Sequence, residues 1–345
     1  MRRIVKQVVG IDVAQKELVV SLGRMCDDWT PELYARKSFP NSQKGFIALV
    51  SWVKKLTDEN TVLRYVMEAT GVYHERLACF LEEKGYQLSI VLPNKIHNYF
   101  RTLSVKTITD RTSADTIAMF GLEKKLESWK RPKKVFRDLR QLTRERDQIV
   151  QERTMVKNQW HAEKAEAHPN PSSLERITKR IQLLNKQEKE IQQEIAALVK
   201  AEEDVQKWIK LTSSVTGIGI LTAATVLAET NGFELIRSKR QLSSYAGFDV
   251  IEKQSGTSIK GKTRISKRGN KYLRKAMHLP ALTAIRHDER FKAIYARLIA
   301  KHGIKMKAAV AVQRKLLEMM YTIYKTKNPY DKNYLNKNHT ADENI

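Results

Sequence analysis

The stretch Val8-Val9-Gly10-Ile11-Asp12-Val13, then Ala14-Gln15-Lys16, then Glu17-Leu18-Val19-Val20-Ser21-Leu22 decides the fold. Both flanking runs are rich in β-branched and aliphatic residues, and three residues between them suffice for a turn. The chain therefore opens on a β-hairpin. Downstream the signals alternate: a helix over 42–56, a strand over 63–67, a helix over about 73–84, a strand over 88–92, and helices near 94–103 and 113–125. Strands that pair first as a hairpin and are later separated by helices predict a mixed sheet with helical cover.

Over residues 1–125 that order is the layout of a ribonuclease-H-like domain. From about 133 to 210 the strand signal disappears. Leu139, Leu142, Ile149, Val156 and Trp160 recur at helical spacing, and Leu174, Ile177, Ile181, Leu184, Ile191, Ile195 and Leu198 form a heptad-like stripe. His168-Pro169-Asn170-Pro171 interrupts them, and Ser172 with Glu175 matches a capping box for the second helix. Residues 126–210 thus read as a long coiled-coil hairpin that serves packing or dimerisation and carries no chemistry. Residues 211–327 are helical again, broken by glycine-rich and cation-rich loops, and 328–345 read as a flexible polar tail. The expected class is α/β at the amino end plus an all-α remainder.

The 345 residues carry 63 Lys+Arg against 38 Asp+Glu, a net charge of +25, and 41% are hydrophobic. That composition buries real cores and calls for a polyanionic partner, since each cation at a phosphate releases condensed counterions. The longest nearly apolar run, Ile218 to Ala228, falls short of the roughly 20 residues needed to cross a bilayer, so no membrane partner is expected. Cys26 and Cys79 are too few to staple a secreted fold, and no cleavable apolar leader follows Met1-Arg2-Arg3. A cytoplasmic location is expected.

Asp12 and Glu68 end strand signals, and Asp110 and Asp115 flank a helix start. Singly, each acid is accounted for as a turn residue or a solvated charge. Together they are the oxygen-rich set that hard cations require, and two such ions can clamp the attacking and leaving oxygens of a phosphoryl transfer, so a Mg²⁺ site is expected. Thr216-Gly217-Ile218-Gly219 reads as a compact turn of helix-hairpin-helix type, which lets backbone amides approach a phosphate or simply packs two helices tightly. Gln254-Ser255-Gly256-Thr257-Ser258 precedes Lys260, Lys262, Arg264, Lys267, Arg268, Lys271 and Arg274. A serine on a flexible glycine loop beside such cations is placed to meet a phosphodiester. No His or Asp is set by motif to deprotonate it. Zinc spacing, a Walker-type phosphate loop and a dinucleotide fingerprint are absent.

In order along almost the whole chain, these blocks resemble the DEDD transposases of the insertion-sequence-110 family, relatives of the pilin-gene invertases. Gly10-Ile11-Asp12-Val13-Ala14 with Lys16 is similar to the opening motif, and Glu68-Ala69-Thr70-Gly71-Val72-Tyr73 to the second acidic block. Thr216-Gly217-Ile218-Gly219, Tyr245-Ala246-Gly247-Phe248, Ser255-Gly256 and Ile265-Ser266-Lys267-Arg268-Gly269-Asn270 with Leu273-Arg274 follow the family's order. Its third block usually reads Lys-Thr-Asp, two residues, then Asp-Ala. Here Ile108 separates Lys106-Thr107 from Thr109-Asp110, and Ser113-Ala114 stands three residues after Asp110. Asp115 is the nearest substitute for the fourth acid, though five residues turn it about 140° round a regular helix; Ser113 or a water is the rival.

The resemblance implies a RuvC-like amino-terminal domain, a coiled-coil insertion and a helical transposase domain bearing Ser255 as nucleophile. It implies Mg²⁺ on Asp12, Glu68 and Asp110, donor and target DNA, a structured bridge RNA as guide, a homo-oligomer, and association with the bacterial nucleoid during activity. Two other readings remain open: a RuvC-like endonuclease using metal-activated water, which needs only the acids, and a noncatalytic nucleic-acid-binding scaffold.

Overall fold

The computed structural model describes residues 3–331 apart from 70, 104–106, 108, 235, 253, 256–258 and 262, with backbone alone for Gln254, Ser255, Ile259 and Lys260. Most of the expected tail, 332–345, lies outside the described residues. Two compact units divide the chain, Met1–Arg131 and Pro132–Ile345.

The first unit, among the described residues, is built on a five-stranded sheet. The elements run β1 (Ile4–Val13), β2 (Glu17–Cys26), β3 (Pro31–Pro40), α1 (Gln43–Leu56), β4 (Leu63–Glu68), α2 (Glu75–Glu83), β5 (Gln87–Val91), α3 (Pro93–Phe100) and α4 (Asp110–Glu123). The sheet order is β3-β2-β1-β4-β5, with β1–β2 and β2–β3 antiparallel and β1–β4 and β4–β5 parallel. This is the ribonuclease-H-like arrangement expected from the opening hairpin. β3 has no counterpart in the sequence reading. It is an edge strand with prolines at both ends and charges at Glu32, Arg36 and Lys37, so it lacks the alternation that announces a half-buried strand.

Side-chain alternation splits the sheet's two faces. Val9, Ile11, Leu18, Val20, Tyr65 and Met67 pack with Phe46 and Leu49 of α1 and Leu77 and Leu81 of α2. Val8 and Val66 face Ile96 of α3 and Ile117 and Ala118 of α4. Gly10 shares this second face, as do Ser21 and Asp12 by strand periodicity. A Cβ on Gly10 would stand 2.5 Å from the Ala114 carbonyl oxygen, and one on Gly121 2.7 Å from a Val8 methyl. The missing side chains at both positions let α4 lie directly on β1. Asp115 fixes the helix laterally: its Oδ1 accepts hydrogen bonds from Ser21 Oγ and Arg36 Nε, each at 2.7 Å. Ser21 pairs in register with both Gly10 and Arg36, so this anchor lies in the same row as the close approach.

The second unit begins with a helical hairpin, α5 (Lys134–Lys164) and α6 (Pro171–Ala201). Near its turn Val156, Ile177 and Leu184 pack with Ile149 and Trp160. Between this cluster and the base sits a polar layer: buried Glu188 accepts from Arg146 at 2.7 Å and from Arg153. The second helix is capped by Asn170, whose side chain accepts from the Ser172 and Ser173 amides at 3.0 and 3.2 Å, with Pro171 at the first helical position. The expected Ser172–Glu175 capping box is thereby corrected. A short carboxamide one residue before an N1 proline already satisfies the amides the box would have served.

Then come α7 (Glu203–Thr212), α8 (Ile220–Thr230), α9 (Lys239–Ala246), the short strands β6 (Val250–Ile251), β7 (Gln254–Ser255), β8 (Ile259–Lys260) and β9 (Arg264–Ile265), and α10 (Lys271–Ala276), α11 (His278–His287), α12 (Glu289–His302) and α13 (Lys305–Thr326). Val135, Leu139, Ile191 and Ile195 at the hairpin base share one apolar core with Trp208, Phe233, Phe291, Leu316 and Met320. The turn from α7 to α8 has Gly217 at φ +91° against Pro280 of α11, whereas a Cβ on Gly219 would meet nothing within 4 Å. Among the described residues no helix is long and apolar enough to cross a membrane.

Gly10→Ala tests the contact on which α4 rests. A methyl driven into helix backbone forces α4 off the sheet, and the expected loss is about 1–3 kcal/mol in denaturant unfolding, with the second unit unaffected.

Candidate active site

β1 and β4 are parallel neighbours, and Ile11 pairs with Met67, so Asp12 and Glu68 stand one step further along at adjacent carboxyl ends. This edge of a sheet with parallel strands is where ligands are commonly received. Asp110 is the first residue of α4. Thr109 caps the helix through its hydroxyl, which accepts from the Thr112 amide at 3.3 Å, while Thr112 Oγ1 accepts from the Thr109 amide at 2.8 Å. The positive end of the helix dipole favours a carboxylate there.

The Asp12 carboxyl is pushed up from 3.8 to about 6, first by burial, then by the negative charges of Asp110 and Glu68, against a smaller opposing effect of the Val13 amide. Three of the four expected acids are therefore brought together. The fourth, Asp115, is engaged by Ser21 and Arg36 and is not among the charges acting on Asp12. Ser113 and Glu68 line a cleft of about 440 Å³ whose other walls include Asn94, His97, Phe100 and Thr116. Asn94 and His97 did not figure among the expected site residues. Their signal was positional: α3 starts immediately after β5, whose carboxyl end opens at the same edge as β1 and β4.

The acids suit a hard divalent cation, which would relieve the like-charge repulsion raising Asp12. Among the described residues no group of three or more acidic, histidine or cysteine side chains is placed to hold a metal ion.

In the second unit, the expected flexible loop around Ser255 is a two-tiered β-ribbon. Its base pairs Val250 with Ile265 and Ile251 with Arg264, and its outer tier pairs Gln254 with Lys260 and Ser255 with Ile259. The side chains of Ser255 and Lys260 and the whole of Lys262 lie outside the described residues, as do Thr70, Lys106 and Ile108 of the motif blocks. Arg264, Lys267, Arg268 and Lys271 are exposed. Arg274 is turned inward, donating from one guanidinium nitrogen to the Ala246 and Gly269 carbonyls at 2.7 and 3.1 Å.

The raised Asp12 value has a defined sign for stability. Metal-free folded protein holds this proton up to about pH 6, whereas the unfolded chain releases it near 3.8. Ionising Asp12 therefore costs stability as pH rises through that window, and the cost persists above it. In a chelating buffer Asp12→Asn is expected to melt above the parent at about pH 8, with the difference closing toward about pH 4. Added Mg²⁺ should raise the parent's melting temperature at about pH 8 and leave the variant's nearly unchanged.

Comparison with known proteins gives two family matches. The IS110 DEDD transposase model, described as a transposase, matches residues 9–169, and the model of the IS116/IS110/IS902 transposase family matches residues 209–296. A pilin gene-inverting protein of Moraxella lacunata is 27% identical over 95% of this chain and 98% of its own length. The transposase for insertion sequence element IS1111A of Coxiella burnetii is 24% identical over 94% of this chain and 91% of its length. Among solved structures, T. thermophilus RuvC in complex with Holliday junction substrate is similar at 9% identity and a TM-score of 0.28, covering 36% of this chain and 99% of that one. With both family models falling in order on the units that carry the acids and the serine ribbon, the chain belongs to the IS110 family of transposases.

Proposed function

We propose that this transposase cuts and rejoins DNA through Ser255, with Asp12, Glu68 and Asp110 holding Mg²⁺ beside the phosphodiester. The observation that carries this reading is the burial of Asp12 beside the charges of Asp110 and Glu68 at the carboxyl ends of β1 and β4, which together leave its carboxyl at about 6. When bound, Mg²⁺ supplies Lewis-acid stabilisation of charge developing on the phosphoryl oxygens. Ser113 or a water, rather than Asp115, completes the surroundings of the cation, because Asp115 is committed to Ser21 and Arg36.

The chain's residues then act as follows. The Ser255 hydroxyl gives up its proton and its oxygen bonds to phosphorus. The bond from phosphorus to a deoxyribose oxygen breaks, and that oxygen takes a proton to become a free hydroxyl. The phosphoserine diester conserves the bond energy. A hydroxyl of the incoming strand loses its proton as its oxygen bonds to phosphorus, the phosphorus–serine bond breaks, and the Ser255 oxygen takes up a proton, so that no net proton is gained or lost. Exposed Arg264, Lys267, Arg268 and Lys271 hold the nucleic-acid backbones, with Lys260 and Lys262 in the same run of sequence. A structured guide RNA pairs with donor and target DNA, in keeping with a net charge of +25 and few base-reading motifs. The protein works as a homo-oligomer.

Ser255→Ala should abolish the covalent protein–DNA adduct on denaturing gels while nucleic-acid binding persists. Strand cleavage that survives this change would favour the metal-activated-water endonuclease. Loss of cleavage in Asp12→Asn is also expected; unchanged Mg²⁺-dependent cleavage would leave a reading without the acids. A single discrete RNA should copurify with the protein, and bulk cellular RNA would reduce the guide to nonspecific charge. Asp115→Asn should cost about 1 kcal/mol of stability yet keep Mg²⁺ affinity, whereas a large loss of affinity would make Asp115 a ligand after all.

A further inference from the structure

Glu229, in the last turn of α8, is only 4% exposed and sits at the centre of a satisfied polar hub. Arg144 of α5 grips it with two bonds, Nε to Oε1 at 2.7 Å and Nη2 to Oε2 at 2.8 Å. Asn270 Nδ2 donates to Oε2 at 2.6 Å, and the Tyr245 hydroxyl donates to the Glu229 carbonyl at 2.9 Å. The same guanidinium lies over the Tyr272 ring, 4.5 Å from its centroid, and about one turn further along α5 Asp147 pairs with Lys275 of α10.

From this hub a ladder of bonds leads to the base tier of the serine ribbon. The Asn270 amide donates to the Tyr245 carbonyl at 2.8 Å, and the Lys267 amide to the Gly247 carbonyl at 3.1 Å. Gly269 lies so close to this turn that a Cβ would stand 2.5 Å from the Tyr245 carbonyl oxygen. The Ser266 amide donates to the Asp249 carbonyl at 2.7 Å, and its hydroxyl to Asp249 Oδ1 at 2.6 Å. The next residues on either side form the base tier, Val250–Ile251 against Arg264–Ile265.

Burying a carboxylate is costly even with an arginine partner, and apolar packing would join the same elements at less expense. What the hub adds is direction, because a bidentate pair with two further donors permits one arrangement of the groups it joins. We infer that Arg144, Glu229 and Asn270 are positioning residues for the nucleophile, holding the base of the β6–β9 ribbon in one orientation against the helical hairpin so that Ser255 presents to the phosphodiester. The inference rests on the Ser255 reading.

The test uses the full chain with its copurifying RNA and a fluorescently labelled duplex carrying the ends of the element that encodes it. Arg144→Lys keeps the charge beside Glu229 but loses the two-pronged grip. The expected result is a single-turnover adduct rate lowered about 10–100-fold, with DNA affinity within about threefold and an intact melting transition. Rescue gives a second readout: Arg144→Gln combined with Glu229→Gln, a pair able to hydrogen-bond without charge, should form adduct faster than Arg144→Gln alone. If Arg144→Lys melts early, Tyr245→Phe, which removes a single donor, replaces it with the same expectation in a smaller size. An unchanged rate, or equal losses of binding and rate, overturns the positioning role. Ser255→Ala in the same assay separates the two claims. An adduct that survives it defeats the serine reading itself, whereas a Ser255-dependent adduct formed at full rate by Arg144→Lys defeats only the hub.

Discussion

The contact between α4 and β1 is the constraint on which the first unit's chemistry depends. Gly10 carries no Cβ where the Ala114 carbonyl and Ala118 amide press against the strand, and Gly121 of α4 leaves room in turn for the Val8 and Val66 methyls of the sheet. Close packing of backbone on backbone leaves little freedom to slide, and the Ser21–Asp115–Arg36 anchor removes most of what remains. With α4 held in position and phase, its first residue, Asp110, comes within range of Asp12 and Glu68. Sheet edge, glycine and helix cap together form an acid cluster that no one of them would make.

Asp115 illustrates how a charge near a site can serve the scaffold. Its carboxylate accepts from a buried serine and a half-exposed arginine on two strands, and that engagement satisfies it locally. Asp12 is the contrasting case, since burial and like-charge neighbours leave its ionised form unfavourable, a state that a bound cation would reverse. Two aspartates of one unit, Asp12 and Asp115, thus differ completely in role, and the difference lies in the partners.

The second unit follows a different logic. Its apolar core runs from the hairpin base into the carboxyl-terminal helices, so the hairpin belongs structurally to the helices that frame the serine ribbon. Among its buried polar groups are Glu188, between Arg146 and Arg153 within the hairpin, and Glu229, between Arg144 and Asn270 at its junction with α8 and α10. Both fix register or orientation where apolar stripes alone allow sliding.

Much of this was legible along the chain. Short runs of β-branched and aliphatic residues named β1, β2, β4 and β5, and 3.6-residue periodicity named the hairpin, because those patterns are produced by surfaces that must be buried. The motif order pointed to Asp12, Glu68, Asp110 and Ser255 and to the family. Edge strand β3 was illegible because Phe39 is the one buried residue of its ten, too little burial to leave an alternating pattern. Asn170 displaced the expected cap because several residues in that stretch could serve, and geometry chose among them. The placement of Ser113 toward the cleft and Asp115 toward Arg36 depends on the phase of α4, which is set by contacts with residues about a hundred positions away. Local sequence determines which segments are helix or strand and which residues can do chemistry. Only the tertiary packing decides which of those residues meet, because proximity between distant segments is fixed by the close fit of their backbones.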